Sequence, residues 1–386
     1  MTVERNFFLD EIGKHFHKQR PRVPQGFNTT TYIECDGDKS FVDIYVRSRG
    51  CHHNYLGGCT MCDYWVSKDF DDSGMANYGQ EALKALNFTP SLIVFGPSGS
   101  MFDDWEVPSK VRRDFYQMLQ LANASLYALF SRAETITEEK LVEVTQYLDP
   151  VKVSIEMGLE TADPWKLKYC VNKAIEIEQV EKAVHLLKQN KLKSAVYILV
   201  GVPFLTISEM IEDAVSSVKW AFDHGIEYCV VFPMHIKPWT TVYWLYEHEL
   251  YEQMSLWALV EVLKRFPPSL LGRIGICWHR PRPEQAHPLY KKASIPPTTC
   301  PKCYPRVLKL LDSYRFSSDR GKTIAMLDEI ECDCKDAWHQ KLTTVSSIPL
   351  AERVRKVYTQ MGVDILGETW WKSHGAYVLS SVLDNI

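Results

Sequence analysis

Two patterns of apolar and polar positions alternate along the chain. Short apolar runs bounded by glycine, proline or polar residues are typical of buried strands, and longer segments with an apolar residue every three or four positions are typical of amphipathic helices. The short runs predict strands at residues 41–46, 91–95, 126–130, 151–157, 194–200 and 228–232. The longer segments predict helices at residues 7–18, 107–122, 138–148, 177–190, 208–224 and 251–266.

The regular alternation of strands and helices indicates βαβ units and a parallel sheet. About six such units predict an α/β fold, a partial (β/α)6 barrel of the TIM type that is open on one side. The pattern divides the chain into an N-terminal lead-in (1–40), a barrel core (41–240) and a C-terminal helical extension (241–386) that is rich in cysteine and predicted to bind metal. Ligands of such sheets bind at the carboxyl ends of the strands, so functional residues are expected there.

The composition narrows the function classes. Hydrophobic residues make up 46% of the 386 positions and charged residues 24%, which is typical of a soluble globular protein. The sequence has no apolar run long enough for a membrane span and carries acidic residues where a signal peptide would be apolar, so a cytoplasmic location is expected. The net charge of −4 argues mildly against nucleic-acid binding, because phosphate recognition requires a basic surface, although a local basic patch stays open.

Cysteine spacing gives the first indication of chemistry. Cys51, Cys59 and Cys62 share one glycine-bearing loop directly after the strand at 41–46. Three thiolates suit an iron–sulfur cluster with one open iron, which could chelate the amino and carboxylate groups of S-adenosylmethionine (SAM). They also suit zinc if His52 or His53 completes a tetrahedral site. The loop alone leaves both interpretations open.

A second group of cysteines lies in the C-terminal extension. Two close pairs flank a helix predicted at 306–314, namely Cys300, Cys303, Cys332 and Cys334. Four thiolates close a metal site completely, so the group indicates either structural zinc or a fully ligated auxiliary iron–sulfur cluster. Nothing else in the segment requires redox chemistry, which favours zinc slightly.

Residues at the predicted strand ends are candidate ligand contacts. Small residues at Ser98, Gly99 and Ser100 can expose backbone N–H and C=O groups to the methionine end of SAM, or can form a plain turn. Arg132 can pair with a ligand carboxylate, or form a surface ion pair with Glu134.

Acidic and apolar strand ends add further candidates. Glu156 and Glu160 lie on an apolar strand, where a carboxylate is seldom unpaired, so they can bind ribose hydroxyls or an ammonium group, or pair with Arg132 or Lys173. The turn at Gly201 and Pro203 can stack on adenine, or be an ordinary strand-to-helix loop.

Taken together, these motifs resemble the radical SAM proteins near the Elongator catalytic subunit, and they are most similar to the archaeosine-synthase radical SAM subunit (RaSEA) family. The resemblance rests on the seven-residue gap between Cys51 and Cys59 and on the segments 98–103, 131–134, 158–161, 171–173, 203–206 and 255–263, and it covers about residues 41–338. The sequence departs from the family at Ala174, where glycine is usual, and at 201–203, where a Lys-Pro-Pro run is expected.

The resemblance implies a radical SAM core in which Cys51, Cys59 and Cys62 hold a [4Fe–4S] cluster. It places Ser98, Gly99, Ser100 and Glu160 around SAM. In that family the enzyme works with a transferase and cleaves the C–N bond of a lysine joined to a 7-deazaguanine nucleobase of tRNA. Such an enzyme also needs an electron donor such as a ferredoxin or flavodoxin.

The first hypothesis is therefore a radical SAM enzyme that abstracts hydrogen from an organic substrate, with the lysine-modified nucleoside of tRNA as the first candidate. A second hypothesis is a radical SAM enzyme of a specialised small-molecule or peptide pathway, and a third is a non-enzymatic zinc-binding module. No side chain is identified as catalytic. Five residues are placed near the substrate by their position after strands, namely Tyr55, Tyr64, His235, Lys237 and Trp239.

Overall fold

The computed structural model describes residues 5–20, 29–64, 74–281 and 294–383. Its centre is one sheet of eight strands in the sequential order β1 to β8. The strands are β1 (Thr29–Asp36), β2 (Lys39–Val46), β3 (Leu92–Gly96), β4 (Leu126–Ser131), β5 (Val153–Glu160), β6 (Lys193–Val200), β7 (Tyr228–Pro233) and β8 (Ile274–Ile276). The strands from β2 to β8 pair in parallel, and β1 pairs antiparallel with β2.

The predicted α/β half-barrel is confirmed. The predicted strands correspond to β2–β7, and their ends agree within three residues. Two edge strands were not predicted. The first, β1, is rich in threonine and charged residues and has no apolar run. The other, β8, has only three residues, too few to show a period.

Helices connect the strands and cover the sheet. They are α1 (Phe7–Gln19), α2 (His52–Tyr55), α3 (Met75–Lys84), α4 (Ser109–Ala122), α5 (Glu138–Thr145), α6 (Pro164–Lys166), α7 (Ile177–Gln189), α8 (Ile207–Asp223), α9 (Thr241–Glu247), α10 (Leu256–Lys264), α11 (Pro268–Leu271), α12 (Tyr304–Phe316), α13 (Arg320–Asp328), α14 (Asp333–Leu342), α15 (Leu350–Met361) and α16 (Glu368–Ser381). None of these helices combines the length and the apolar character needed to cross a bilayer.

Local sequence signals explain several helix ends. The predicted cap Thr137 accepts a hydrogen bond from the Lys140 N–H at the start of α5. The helix predicted at 251–266 is shorter, because Ser255 caps α10. Between the two cysteine pairs the chain forms two helices, α12 and α13, where one was predicted.

Candidate active site

A cavity opens at the carboxyl ends of the strands, as expected for a parallel α/β sheet. It has a volume of about 950 Å³ including its open mouth. All three cysteines of the N-terminal group line it, together with residues from the ends of β2, β4, β5 and β7. The fold thus joins the predicted cluster loop and most of the predicted strand-end residues in one site.

The segment 171–173 holds the cysteine loop in place. The Thr60 N–H donates to the Val171 carbonyl at 2.9 Å, and the Asn172 side-chain amide donates to the Gly58 carbonyl at 2.9 Å. The same amide donates to a carboxylate oxygen of Asp10 on α1, also at 2.9 Å. These contacts explain why the three-residue motif accompanies the cysteines in the sequence.

Helix α1 lies against the same loop with its backbone in contact. A Cβ at Gly57 would lie 2.5 Å from the Asp10 Cα, and a Cβ at Gly13 would lie 2.0 Å from the Gly57 carbonyl oxygen. No side chain fits between the two backbones at either position. Gly57 also has φ of +143°, which disfavours L-residues. The loop shape therefore depends on glycine in both partners.

The two histidines of the loop are engaged elsewhere. His53 is buried, with Nε2 at 2.6 Å from the Asn172 carbonyl oxygen and Nδ1 accepting from Arg5 at 3.1 Å. His52 stacks on Trp105 with ring centroids 4.7 Å apart. Neither histidine belongs to the lining of the cavity. These two imidazoles, which the sequence offered as a fourth ligand, are therefore not placed to complete a zinc site with the three cysteines.

The electrostatic surroundings of the three thiols matter for metal binding. Burial raises the pKa of Cys59 to about 11 and that of Cys62 to about 12. Arg132 and Lys173, both buried, act in the opposite direction on Cys51 and Cys59. A bound metal group would supply the positive charge that keeps these sulfurs ionised. The donor set and its two neighbouring cations therefore fit an anionic iron–sulfur cluster.

Next to the thiols lies a buried ion pair. The Lys173 ammonium donates to Oε1 of Glu160 at 2.5 Å, and Arg132 donates to the Lys173 carbonyl at 2.9 Å. The second carboxylate oxygen of Glu160 is buried and has no hydrogen-bond partner within the described chain. Gly158 makes room for the pair, since a Cβ there would lie 2.6 Å from the Lys173 ammonium nitrogen. One acceptor thus remains for a ligand that enters the cavity.

The loop after β3 depends on a residue that the sequence analysis missed, Glu106. Its carboxylate accepts the Gly99 N–H at 2.9 Å, the Ser100 N–H at 2.7 Å and the Ser48 hydroxyl at 2.6 Å. The N–H groups of Gly99 and Ser100 are therefore bonded within the chain, and the assignment of this loop to SAM stays a prediction. An acidic residue beside apolar Val107 near a strand-to-helix junction was the only sequence signal for this role.

The same loop packs directly on the first cysteine. A Cβ at Gly99 would lie 2.9 Å from both Cα and Cβ of Cys51. Ser98 and Gly99 line the cavity, whereas Ser100 does not and is fully buried. The Ser100 hydroxyl instead lies 3.0 Å from that of Ser131 and tightens the base of the loop.

Some of the remaining candidate residues line the cavity and others do not. Arg132, Glu156 and Glu160 line the cavity, as do Tyr64, His235 and Lys237. The lining does not include Gly201, Pro203, Tyr55 or Trp239. The Gly201 carbonyl accepts the Tyr251 hydroxyl at 2.6 Å, so this turn packs against the segment before α10.

Aromatic side chains and one carboxylate form another part of the wall. Neighbouring ring centroids lie 4.8–6.1 Å apart along the series Tyr45, Phe130, Tyr197, Phe232 and Trp278. The Tyr197 hydroxyl donates to Glu156 at 2.5 Å. Burial and the nearby charge of Asp43 raise the pKa of Glu156 to about 7, although the hydrogen bond opposes the shift.

The second cysteine group forms a compact set of four sulfurs. The Sγ–Sγ distances are 3.6 Å for Cys300–Cys303, 3.4 Å for Cys300–Cys332, 3.4 Å for Cys303–Cys334 and 3.5 Å for Cys332–Cys334. Bonds of about 2.3 Å to one tetrahedral zinc place sulfurs about 3.8 Å apart. A cluster of several irons lies between its thiolates and separates them further. The distances fit a single metal ion.

An α/β half-barrel with a three-cysteine loop at its strand ends agrees with the predicted resemblance to radical SAM proteins. No protein-family model matches the chain. An uncharacterised protein of Methanocaldococcus jannaschii is 28% identical over 351 residues, which are 86% of this chain and 91% of that protein.

Two further relatives carry a functional name. Archaeosine synthase subunit beta is 22% identical over 308 residues in Methanosarcina acetivorans (78% of this chain, 84% of that protein) and 24% identical over 307 residues in Thermococcus kodakarensis (76% and 89%). The predicted resemblance is confirmed, since the chain is similar to archaeosine synthase subunit beta along most of its length.

Solved structures are less similar to this chain. The archaeal Elp3 of Methanocaldococcus infernus has a TM-score of 0.44 at 15% identity and matches 62% of this chain and 58% of its own. Coproporphyrinogen III oxidase (HemN) of Escherichia coli, a radical SAM enzyme, has a TM-score of 0.43 at 11% identity and matches 71% and 62%. This chain thus spans less than two thirds of either solved protein.

Proposed function

We propose that the protein is a radical SAM enzyme whose substrate is a lysine-modified 7-deazaguanine nucleoside of tRNA, cleaved at its C–N bond. The observation that carries the enzyme assignment is the single cavity that joins three cysteines, two buried cations and a carboxylate with an unpaired oxygen. The relatives named archaeosine synthase subunit beta support the choice of substrate. A transferase partner and a ferredoxin or flavodoxin as electron donor belong to the same proposal.

In this proposal Cys51, Cys59 and Cys62 hold a [4Fe–4S] cluster, and Arg132 and Lys173 offset its negative charge. The engagement of His53 by Arg5 and Asn172 supports three protein ligands rather than four. When bound, the cluster and SAM supply a 5′-deoxyadenosyl radical that abstracts hydrogen.

The proposed SAM contacts are the residues that line the cavity next to the cysteines. The unpaired oxygen of Glu160 accepts a hydrogen bond from the SAM ammonium group or a ribose hydroxyl. Ser98 and Gly99 line the same cavity, Gly99 packs on Cys51, and Glu106 fixes the loop by accepting the Gly99 and Ser100 N–H groups. Ser100 acts only through the shape of the loop.

At the second cysteine group we propose one structural zinc ion. The four Sγ–Sγ distances of 3.4–3.6 Å support a single tetrahedral metal. Zinc there would tie α12 to α14, because Cys303 directly precedes the first helix and Cys332 the second.

Anaerobic reconstitution tests the enzyme assignment. The loaded protein should contain about four irons and should convert SAM to 5′-deoxyadenosine with dithionite, measured by mass spectrometry. Cys59→Ser should lose both the iron and the product. Cys35→Ser is the matched control, because Cys35 is an exposed thiol on β1 away from the cavity lining. Iron-loaded wild-type protein that forms no 5′-deoxyadenosine refutes the assignment.

The substrate needs a separate assay. Wild-type enzyme is incubated with tRNA that carries the lysine-modified base, and the nucleosides are then analysed by mass spectrometry. An amidine nucleoside that requires SAM supports the proposal. Formation of 5′-deoxyadenosine with the modified tRNA unchanged refutes the substrate and keeps the enzyme class, which would favour a small-molecule or peptide substrate.

A further inference from the structure

The cavity has a part that the cluster and SAM assignments leave unused. It consists of Glu156 in the middle of β5, Tyr197 on the neighbouring β6, and the aromatic side chains that flank them. Glu156 is 8% exposed, and within the described chain it accepts a side-chain hydrogen bond from Tyr197 alone. A nearly buried carboxylate with a single neutral partner is unusual, because burial of an unpaired charge is costly. Such a group is expected where a ligand completes its contacts.

The surroundings restrict what that ligand can be. Phe130 and Phe232 lie on either side of the Tyr197 ring, with centroids 5.8 and 6.1 Å from it. Such a wall favours a flat ring, which gains area and stacking without needing polar partners. A fully polar group would leave its own hydrogen-bonding atoms unpaired against these rings.

The basic residues of the cavity are not available to Glu156. The lining contains Arg132, Lys173 and Lys237. Each is already paired with another carboxylate, Arg132 with Glu134, Lys173 with Glu160 and Lys237 with Asp63. A ligand must therefore bring its own N–H groups to the Glu156 carboxylate.

We propose that Glu156 determines substrate specificity by accepting two neighbouring N–H groups on the edge of a flat, neutral heterocycle, with Tyr197 orienting the carboxylate. The 2-amino-pyrimidinone edge of a guanine-type base has this pair of donors, spaced to match the two oxygens of a carboxylate. An adenine-type base has a ring nitrogen acceptor at the equivalent position, and its lone pair would repel the carboxylate oxygens. The inference rests on the proposed function, since it names the group that reads the nucleobase.

The test is equilibrium dialysis at pH 8, where the Glu156 carboxylate is ionised, of the cluster-loaded protein with SAM against guanosine, inosine and adenosine at equal concentration. Guanosine offers both donors, inosine lacks the amino group, and adenosine lacks the pair. Binding should decrease in that order, with a preference of about tenfold for guanosine over adenosine. Equal binding of the three nucleosides, or no measurable binding of guanosine, overturns the proposal.

Three variants separate recognition from a general loss of structure. Glu156→Gln should reduce the guanosine preference to about twofold or less, because an amide offers one acceptor in place of two. Tyr197→Phe keeps the ring and should weaken guanosine more than adenosine. Phe130→Leu is the matched control and should weaken all three nucleosides equally, since it removes stacking but not the carboxylate. A Glu156→Gln protein that keeps the full guanosine preference refutes the assignment.

Failure of this inference is distinguishable from failure of the proposed function. The wild-type protein that forms 5′-deoxyadenosine but binds the three nucleosides equally refutes only the role of Glu156. A protein that prefers guanosine and forms no 5′-deoxyadenosine refutes the enzyme assignment and leaves the recognition in place.

Discussion

Replacement of Glu156 by glutamine should stabilise the protein in a pH-dependent manner. Burial and the Asp43 charge raise the pKa of Glu156 from its ordinary value of 4.5 to about 7 in the folded protein. The folded state therefore retains a proton that the unfolded chain releases between these two values. The free energy of unfolding then falls as the pH rises through this window, because ionising the buried group is unfavourable.

The size of the effect follows from the pKa difference. A shift of one unit corresponds to about 1.4 kcal/mol, so the full contribution is at most about 3 kcal/mol above pH 7 and vanishes below about pH 4.5. Glutamine does not titrate, and its amide oxygen can still accept from the Tyr197 hydroxyl. The variant should therefore gain stability over the wild type by about 2–3 kcal/mol at pH 8 and by less than about 1 kcal/mol at pH 5.

Denaturant titrations under anaerobic conditions at pH 5, 6.5 and 8 measure this difference. Glu227→Gln is the matched control, because Glu227 is an exposed glutamate between α8 and β7 and its loss should have an effect that is small at every pH. If the free energies of unfolding of Glu156→Gln and wild type differ by the same amount at all three pH values, the reasoning is refuted. Such a result would mean that Glu156 is ionised in the folded protein with another stabilising partner.

Three further predictions concern the backbone, the SAM site and the second metal site. Ala174 has φ of +52°, a conformation that glycine adopts more easily than alanine. Ala174→Gly should therefore leave the free energy of unfolding unchanged or raise it by up to about 1 kcal/mol. A decrease of more than about 1 kcal/mol in thermal or denaturant unfolding would contradict backbone strain at this residue. Gly158→Ala would place Cβ 2.6 Å from the Lys173 ammonium nitrogen and disturb its ion pair with Glu160. The affinity for SAM, measured by dialysis, should therefore fall about tenfold while the iron content stays unchanged. An unaltered affinity would count against a SAM site at Glu160. Cys303→Ser should lose zinc and keep its iron in elemental analysis, whereas parallel loss of iron would place a cluster at the second group.

The local part of the fold was predictable from the sequence. The strands from β2 to β7 show as apolar runs because their side chains are buried between the helices and the barrel interior. The second cysteine group was also identifiable as a cluster of thiols, since two close pairs on one short segment need only a turn and two helices to meet. In both cases the deciding contacts lie close in sequence.

The candidate site was predictable in part for the same reason. The three cysteines on one loop and Glu160 at a strand end, which the sequence singled out, line one cavity. Gly201 and Pro203 also follow a strand, but the fold packs their turn against Tyr251. Strand-end position alone does not tell which side of the loop faces the ligand.

Tertiary structure decided the roles that depend on partners far apart in sequence. His53 was a plausible metal ligand until the fold brought Arg5 and Asn172, 48 and 119 positions away, to its two ring nitrogens. Glu156 meets Tyr197 across 41 positions only because β5 and β6 are neighbours in the sheet. The sequence by itself thus determined the elements and the two cysteine groups, since these follow from local periodicity and spacing. Hydrogen bonding between distant segments determined which of the candidate side chains face the cavity and which support it.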